Sequence, residues 1–308
     1  MHVPVMLHEC LEYLAIQPDG VYLDMTAGLG GHTKAIAERL TALGGHGSVI
    51  ACDRDAESLA QAKLNTAEFA NRIHFYQASF SQGVSQRVSH AEQTLVVEGI
   101  SQLDNVGRVD GLLADLGVSR YQLTEGERGF SLMTDGPLDM RMDRDQTQTA
   151  ADFVNYESEK ELADLIYKFG EERRSRKIAR AIVRARPVTT TGQLAKLIES
   201  AVPRTGKLHP ATQTFMALRI AVNQENEELD ALLESLPKLV KPGGRVVILT
   251  FMSLEDRKVK HAFQALQRGG QARILTRHVV RPTEEEIRDN PPSRSAKLRA
   301  LEISQAIL

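Results

Sequence analysis

A short apolar segment that ends in an acid and continues into a glycine-rich turn constrains this chain more than any other feature. Val21–Asp24 has the pattern of a buried strand, Gly28 and Gly30 lie in the turn, and a helix is predicted from Lys34 to Leu43. Glycine has no Cβ, so both positions can adopt backbone angles that other residues avoid and let a ligand approach the main chain. The segment therefore predicts a strand–turn–helix unit that binds a small molecule.

A second predicted strand also ends in an acid, Asp53. In nucleotide-binding folds an acid at this place accepts hydrogen bonds from the ribose hydroxyls. Strands and helices alternate through both ends of the chain, which is typical of a parallel sheet covered by helices. The predicted strands after the first are Ser48–Asp53, Ile73–Gln77, Val109–Asp115, Arg245–Phe251, Ile274–Val280 and Lys297–Ser304.

The middle of the chain has a different pattern, with no convincing strand between Leu123 and Pro210. We therefore predict an α/β fold whose core comprises residues 1–124 and 211–308, with an all-helical domain inserted at 125–210. The predicted helices are Asp55–Glu68, Ser81–Val97, Glu157–Phe169, Glu172–Arg186, Thr191–Ala201, Ala211–Leu236 and Ser253–Leu266, with a loop at Gly99–Gly107 and a turn at Lys241–Gly244.

The composition limits which partners, metal sites and cellular locations we expect for the protein. The chain has 308 residues and a formal net charge of −2, so it lacks the overall positive charge that is typical of nucleic-acid-binding proteins. No apolar run approaches the roughly 20 residues of a membrane span, and the N-terminus lacks the pattern of a signal peptide. Cys10 and Cys52 are too few for a disulfide framework or a zinc cage. We expect a cytoplasmic protein without a membrane partner or a metal site.

The glycine turn favours one cofactor over another. A dinucleotide-binding turn has the form Gly-x-Gly-x-x-Gly, but Thr33 stands where the last glycine is needed. An acid that ends the first strand, followed by Gly-x-Gly, suits S-adenosyl-L-methionine, whose ammonium and sulfonium groups a carboxylate can face. Asp53 and Asp115, at the ends of the second and fourth strands, strengthen this prediction because open α/β sheets bind ligands at that edge.

Several motifs resemble those of one known family, the bacterial ribosomal RNA small subunit methyltransferase H (MraW) family, almost from end to end. They are His2-x-Pro-Val, Gly28-Leu-Gly-Gly-His-Thr33, Asp115-Leu-Gly-Val-Ser119, Glu127-Arg-Gly-Phe-Ser131, Asp135-Gly-Pro-Leu-Asp-Met-Arg-Met-Asp143, Gly170-Glu-Glu-Arg173, His209-Pro-Ala-Thr212, Ser253-Leu-Glu-Asp-Arg257 and Asn290-Pro-Pro-Ser-Arg-Ser-Ala-Lys-Leu-Arg299.

The resemblance implies a Rossmann-like class I methyltransferase sheet of seven strands, the last antiparallel, with an inserted helical domain. It implies methylation of the N4 amine of one cytidine in the decoding region of small-subunit ribosomal RNA, with the RNA or the 30S subunit as partner. Whether the protein is a monomer or a homodimer stays open. Carried over by position, the cofactor-binding residues are Gly30, Gly31, His32, Asp53, Phe80, Asp115 and Gln122.

The chain departs from the family pattern at a few places. The family usually has Pro at Ala56, Ser at Arg120, and His at Met252. The last replacement removes an imidazole from that position. The stretch between Ser81 and Val109 is also longer than expected for the family.

Methylation of a cytosine amine needs an acceptor for the departing proton, because the nitrogen lone pair is delocalised into the ring. Asp115 is the candidate catalytic residue, with the carbonyls of Leu116 and Gly117 beside it. Two other interpretations stay open: Asp115 could serve only to bind cofactor or to support the fold, and His32 could cap the helix that it begins.

A basic cluster in the predicted insert is the best candidate for RNA contact. Arg173, Lys177, Arg180 and Arg184 recur at helical spacing, although a solvated helix face would give the same pattern. Aromatic residues are only 5% of the chain, which argues against an extended stacking platform, but Tyr121 or Phe130 could sandwich one extruded base.

Three rival functions fit parts of the sequence. A methyltransferase acting on DNA or on a small molecule would share the cofactor site, although Asp115-Leu-Gly-Val is not the Pro-Pro-aromatic motif of DNA amino-methyltransferases. Thr33 disfavours a nicotinamide-dependent oxidoreductase. The third rival, a non-catalytic RNA-binding assembly protein, does not explain why Gly28, Gly30, Asp53 and Asp115 are all present.

Overall fold

The computed structural model describes residues 4–82, 108–204, 206 and 208–304. Its strands form one sheet of seven in the order β3-β2-β1-β4-β5-β7-β6. The first five strands are parallel to one another, and β7 is antiparallel to both β5 and β6. The prediction of a seven-strand sheet with an antiparallel last strand is confirmed. The strands are β1 (Val21–Asp24), β2 (Ser48–Asp53), β3 (Ile73–Gln77), β4 (Val109–Asp115), β5 (Val240–Thr250), β6 (Ala272–Ile274) and β7 (Lys297–Ile303).

The helices alternate with these strands at both ends of the chain and follow one another in the middle. They are α1 (Leu7–Leu14), α2 (Gly31–Ala42), α3 (Ala56–Asn65), α4 (Arg120–Thr124), α5 (Ala150–Tyr156), α6 (Glu159–Gly170), α7 (Ser175–Ala185), α8 (Thr191–Ala201), α9 (Thr212–Val222), α10 (Glu225–Leu239), α11 (Ser253–Arg268) and α12 (Glu284–Asp289).

The central strands are apolar throughout because both faces of the sheet are covered. Successive side chains of a strand point to opposite faces, so Leu23 and Tyr22 belong to two different cores. One core contains leucines of α10 together with Val259 and Phe263 of α11. The other contains Cys10 of α1 and residues of α2. Both layers hold the strand ends, and hence the acids at those ends, in fixed places.

The chain divides into two compact units. One, here called the sheet unit, comprises Met1–Gly117 and Glu227–Leu308, and the other, the helical unit, comprises Val118–Asn226. The helical unit has its own apolar core, to which Ile166, Ile178 and Phe215 contribute from three different helices. Because α9 packs on α6, it belongs to the helical unit, whereas the sequence had placed residues 211 onward in the sheet domain.

Four sequence predictions need correction. The long helix predicted at Ala211–Leu236 is two helices, α9 and α10, separated where Gln224 adopts a left-handed conformation with φ of 50°. The predicted turn at Lys241–Gly244 lies inside β5, where the pairing with β4 shifts register. The strand predicted at Ile274–Val280 ends at Ile274, and helices α1, α4, α5 and α12 were not predicted.

Two further predictions concern residues that lie largely outside the described part of the chain. Only Ser81 and Gln82 of the predicted helix Ser81–Val97 are described, and both are helical, while the predicted loop at Gly99–Gly107 lies outside it. Within the described ranges, every helix is too short or too polar to cross a lipid bilayer.

Candidate functional site

The turn between β1 and α2 is built so tightly that it requires glycine. Gly30 has a φ of 87°, and a Cβ placed there would lie 3.0 Å from Cγ2 of Thr66 and 3.3 Å from Ala62. A Cβ on Gly31 would lie 2.6 Å from Cγ of Pro4. Any side chain at either position would therefore force the turn out of its place at the carboxyl edge of the sheet. The predicted approach of a ligand to this backbone stays a prediction.

Asp24, at the end of β1, is fully buried and holds the turn from within. Its Oδ2 accepts a hydrogen bond from the Thr33 hydroxyl at 2.6 Å, and its Oδ1 accepts one from the Thr26 backbone N–H at 3.1 Å. Burial raises the pKa of Asp24, while the hydrogen bond from Thr33 acts in the opposite direction. Asp24 therefore anchors the turn through these two hydrogen bonds.

Asp53, at the end of β2, connects two loops. Its Oδ2 accepts the Gly28 backbone N–H at 2.7 Å and its Oδ1 accepts that of Asp55 at 2.9 Å. Burial raises the pKa of Asp53 to about 6, against the effect of these two hydrogen bonds. A carboxylate oxygen has two lone pairs, so each oxygen can still accept one hydroxyl group. The arrangement suits the predicted ribose contact and adds a structural role that the sequence did not predict.

Asp115, at the end of β4, has an incomplete set of partners. Its backbone N–H donates to the Thr26 hydroxyl at 2.7 Å, but its Oδ1 is closed to solvent and has no hydrogen-bond partner among the described residues. Burial and the nearby carboxylates of Asp24 and Glu255 raise the pKa of Asp115 to about 8. A buried acceptor without a donor lowers the stability of the folded protein. A bound cation or N–H group would interact with this oxygen and restore that stability.

His32 lies beside Asp115 in the first turn of α2 and is 6% exposed. Its Nε2 is 3.0 Å from the Val5 carbonyl oxygen, which can only accept, so Nε2 carries the proton. Its Nδ1 is 3.8 Å from Oδ2 of Asp115. The imidazole is therefore a buried, oriented side chain next to the incompletely bonded carboxyl group.

The remaining predicted cofactor residues have different surroundings. Phe80 is half-buried and packs against the apolar core that contains Leu116. Gln122 belongs to the helical unit, where its Oε1 accepts the Ser119 backbone N–H at 2.9 Å in a capping box at the start of α4. The contact of Gln122 with cofactor stays a prediction.

The residues of the sheet unit fit a cationic nucleoside cofactor. The backbone of the tight turn lies at the edge of the sheet, and Asp53 lies at the end of the next strand. Oδ1 of Asp115, which has no hydrogen-bond partner among the described residues, can face a positive group. The described residues contain no group of three or more His, Cys, Asp or Glu side chains that could hold a metal ion.

Comparison with known proteins decides among the possible classes. A model described as the MraW methylase family matches residues 1–304. The chain belongs to the MraW methylase family. This membership confirms the predicted class, a methyltransferase that depends on S-adenosyl-L-methionine, and it excludes the nicotinamide-dependent oxidoreductase.

Individual relatives of this MraW methylase cover the whole chain. A ribosomal RNA small subunit methyltransferase H from Solibacter usitatus is 58% identical over 303 residues, which is 98% of this chain and 100% of the relative. A protein of the same name from Acidobacterium capsulatum is 49% identical over 306 residues, 98% of each chain. A solved SAM-dependent O-methyltransferase from Thermotoga maritima has 10% identity and a TM-score of 0.44, over 100% of this chain and 69% of that one.

Three residues of the MraW methylase site were not predicted as part of it. Thr26 connects β1 and β4 by donating to Asp24 at 3.4 Å and accepting from Asp115. Val5 orients His32 through its carbonyl, and Glu255, 5% exposed, accepts the backbone N–H groups of the two residues before α11. Glu255 lies in the Ser253–Arg257 motif, so the sequence contained a signal for it. Val5 acts through its backbone carbonyl, which every residue has, and so its role could not be predicted from the sequence.

The basic cluster of the MraW methylase is only partly as predicted. Arg173 precedes α7, Arg180 pairs with Glu159 at 3.3 Å, and Arg174 pairs with Glu172 at 3.0 Å. Ile178 and Ile182 face the core of the helical unit, and the opposite side of α7 is exposed. That exposed side, here called the basic face, comprises Arg176, Lys177, Arg180 and Arg184.

One predicted base-stacking candidate is wrong. Phe130 is 6% exposed and belongs to the core of the helical unit, where the guanidinium of Arg128 lies 5.9 Å from its ring centroid. A ring buried in this way is not available to sandwich a nucleobase. Tyr121 is half-buried, and its proposed role stays a prediction.

Proposed function

We propose that this MraW methylase transfers a methyl group to the N4 amine of a cytidine in the decoding region of small-subunit ribosomal RNA. The relatives at 58% and 49% identity are named ribosomal RNA small subunit methyltransferase H, and they match this chain over almost its whole length. That agreement supports ribosomal RNA as the substrate class. The choice of cytidine and of its amine rests on the motifs of the family.

The observation that carries the chemical part of the proposal is the carboxyl group of Asp115. The cytosine amine loses a proton when it gains a methyl group, and a nearby acceptor must receive that proton. Asp115 combines an oxygen without a partner with a pKa near 8, so once ionised it is a stronger base than an ordinary carboxylate. We assign the role of proton acceptor to Asp115.

The other residues of the sheet unit position the reactants. S-adenosyl-L-methionine supplies, when bound, a methyl group activated by its sulfonium. Asp53 would accept the ribose hydroxyls, Phe80 would lie against the adenine, and Gly30 and Gly31 would offer the backbone of the turn. Correct orientation of the two reactants can contribute up to about 7–11 kcal/mol to lowering the barrier.

We further propose that the helical unit binds the RNA through its basic face. Arg176, Lys177 and Arg184 are exposed and make no ion pair with other described residues. Free cations along one side of a helix can neutralise successive phosphates. This assigns RNA recognition to the inserted domain that the sequence predicted.

Mass mapping of ribosomal RNA tests the proposal. RNA from cells lacking this gene should lose one methyl group at a single cytidine, and the unaltered gene should restore it, while Asp115→Asn should not. Incubation of purified protein with 30S subunits, with RNA, with DNA and with labelled methyl donor then identifies the substrate. Methylation of DNA, or an unchanged RNA map in the deletion strain, would contradict the proposal.

A further inference from the structure

Two of the family motifs, one near each end of the chain, have no part in the function proposed above. They are His2-x-Pro-Val and the segment that begins at Asn290. The structure joins the regions beside them. The Met6 backbone N–H donates to Oε1 of Glu286 in α12 at 2.6 Å, across 280 residues of sequence. This contact ties the N-terminus to the last helix of the sheet unit.

The residues next to this contact rest on the glycine turn. Pro4 packs so closely on Gly31 that a Cβ there would come within 2.6 Å of its ring. The Val5 carbonyl accepts the Nε2–H of His32. Met6 begins α1 with a left-handed φ of 50°, a conformation that a residue with a side chain rarely adopts without external support. We call Pro4–Met6 the strap.

Glu286 supplies the support that the strap needs. A charge-assisted hydrogen bond to the Met6 N–H holds the backbone at its left-handed residue. The same backbone presents the Val5 carbonyl one residue earlier, and that carbonyl directs Nδ1 of His32 towards Asp115, 3.8 Å away. A chain of three contacts therefore runs from α12 to the cofactor site.

We propose that Glu286 is a positioning residue that latches the strap and thereby fixes the orientation and the tautomer of His32. The proposal rests on the proposed methyltransferase function and on the contact of His32 with cofactor that the family resemblance implies. Glu286 itself touches no reacting group, and its effect passes through Met6 and Val5.

The test uses the full-length protein and three variants. Glu286→Ala removes the latch, Glu286→Gln keeps an acceptor oxygen without the charge, and Glu285→Ala changes a neighbouring carboxylate that is 79% exposed. Calorimetry with S-adenosyl-L-homocysteine gives the affinity, and nitrogen-15 NMR of the histidine rings gives the tautomer of His32. Thermal unfolding of each variant measures stability separately.

Glu286→Ala should weaken S-adenosyl-L-homocysteine binding about tenfold and shift the His32 ring signals away from the single Nε2–H tautomer. Glu286→Gln should stay within about twofold of the unaltered protein, and Glu285→Ala should match it. If Glu286→Ala does not fold, Glu286→Asp, one methylene shorter, carries the same comparison. Unchanged His32 signals in the alanine variant, or an equal loss of affinity in the glutamine variant, would overturn the latch.

Failure of the latch can be told apart from failure of the proposed function. If His32→Ala leaves the affinity unchanged, His32 has no cofactor role, yet its ring signals still report whether Glu286 orients it. If the RNA map shows no cytidine methylation, calorimetry with S-adenosyl-L-homocysteine is unaffected because it involves no RNA.

Discussion

The acids at the carboxyl edge of the sheet and the basic face of α7 use charge in opposite ways. Asp24 is buried and Asp53 is half-buried, and each accepts at least two hydrogen bonds from the residues around it. Arg176, Lys177 and Arg184 extend into solvent from a helix whose other side is core. Enclosed acids are fixed before a ligand arrives, whereas exposed cations are not.

The difference predicts different consequences of mutation. In a buried setting, removal of one partner leaves another polar group unsatisfied, which costs about 1–3 kcal/mol. On an exposed face, each charge contributes a small, salt-screened share of binding and almost nothing to folding. Asp115 is intermediate between these two cases, because its side chain is 24% exposed while its Oδ1 is closed to solvent and has no partner among the described residues. Four experiments examine this contrast.

The largest effect is expected for Asp115→Asn. If Asp115 accepts the amine proton, the turnover number should fall by about 10²- to 10⁴-fold, because an amide cannot act as the base. Binding of S-adenosyl-L-homocysteine should change much less. Single-turnover methylation assays and calorimetry on the same preparation measure the two quantities. A turnover within tenfold of the unaltered protein would reduce Asp115 to a binding or structural acid.

The same variant has a signature in stability that does not depend on substrate. Folding raises the pKa of Asp115 from 3.8 to about 8, so the folded protein keeps a proton that the unfolded chain loses. The stabilisation present below pH 4 is therefore lost progressively as the pH rises towards 8. Asp115→Asn has no carboxyl group at this position and so lacks this pH-dependent loss of stability. Its thermal midpoint should rise relative to the unaltered protein between pH 5 and pH 8, and a constant difference would contradict the shifted pKa.

A smaller effect is expected for Asp53→Ala. Loss of the proposed hydrogen bonds to the ribose should weaken cofactor binding by roughly 2–3 kcal/mol, or about 30- to 150-fold. Because Asp53 also accepts the backbone N–H groups of Gly28 and Asp55, the thermal midpoint should fall as well. Asp164→Ala, an exposed acid of α6, serves as the control and should change neither quantity. Unchanged affinity in Asp53→Ala would refute the ribose contact.

The smallest effect per residue is expected on the basic face. Replacement of Arg176, Lys177 and Arg184 by glutamine should leave stability within about 0.5 kcal/mol. It should lower the slope of RNA affinity against salt concentration by about 2, since each contact with single-stranded RNA contributes about 0.7. The control replaces Arg39, Lys260 and Arg268, which are exposed in the sheet unit. An equal change of slope in both triple variants would mean that α7 is only a solvated face.

Particular errors show where local sequence patterns fail to predict the structure. No proline or glycine stands near Asn223 and Gln224, so α9 and α10 looked like one helix, although Gln224 turns the chain. Arg173 has helical spacing with Lys177 but lies before α7 begins at Ser175. Phe130 lies in a motif rich in charge and glycine, yet it belongs to a core. In each case contacts distant in sequence outweighed the local pattern.

Local sequence was sufficient for the first four strands and the acids at their ends, because alternation of apolar runs, glycine turns and helices follows from short-range chemistry. It also sufficed for the family, since the motifs are contiguous. Only the tertiary structure decided that both oxygens of Asp24 accept hydrogen bonds while Oδ1 of Asp115 has no partner among the described residues, and that Glu286 reaches Met6. Hydrogen-bond partners and burial are supplied by segments far apart in the chain, and so no single stretch of sequence contains them.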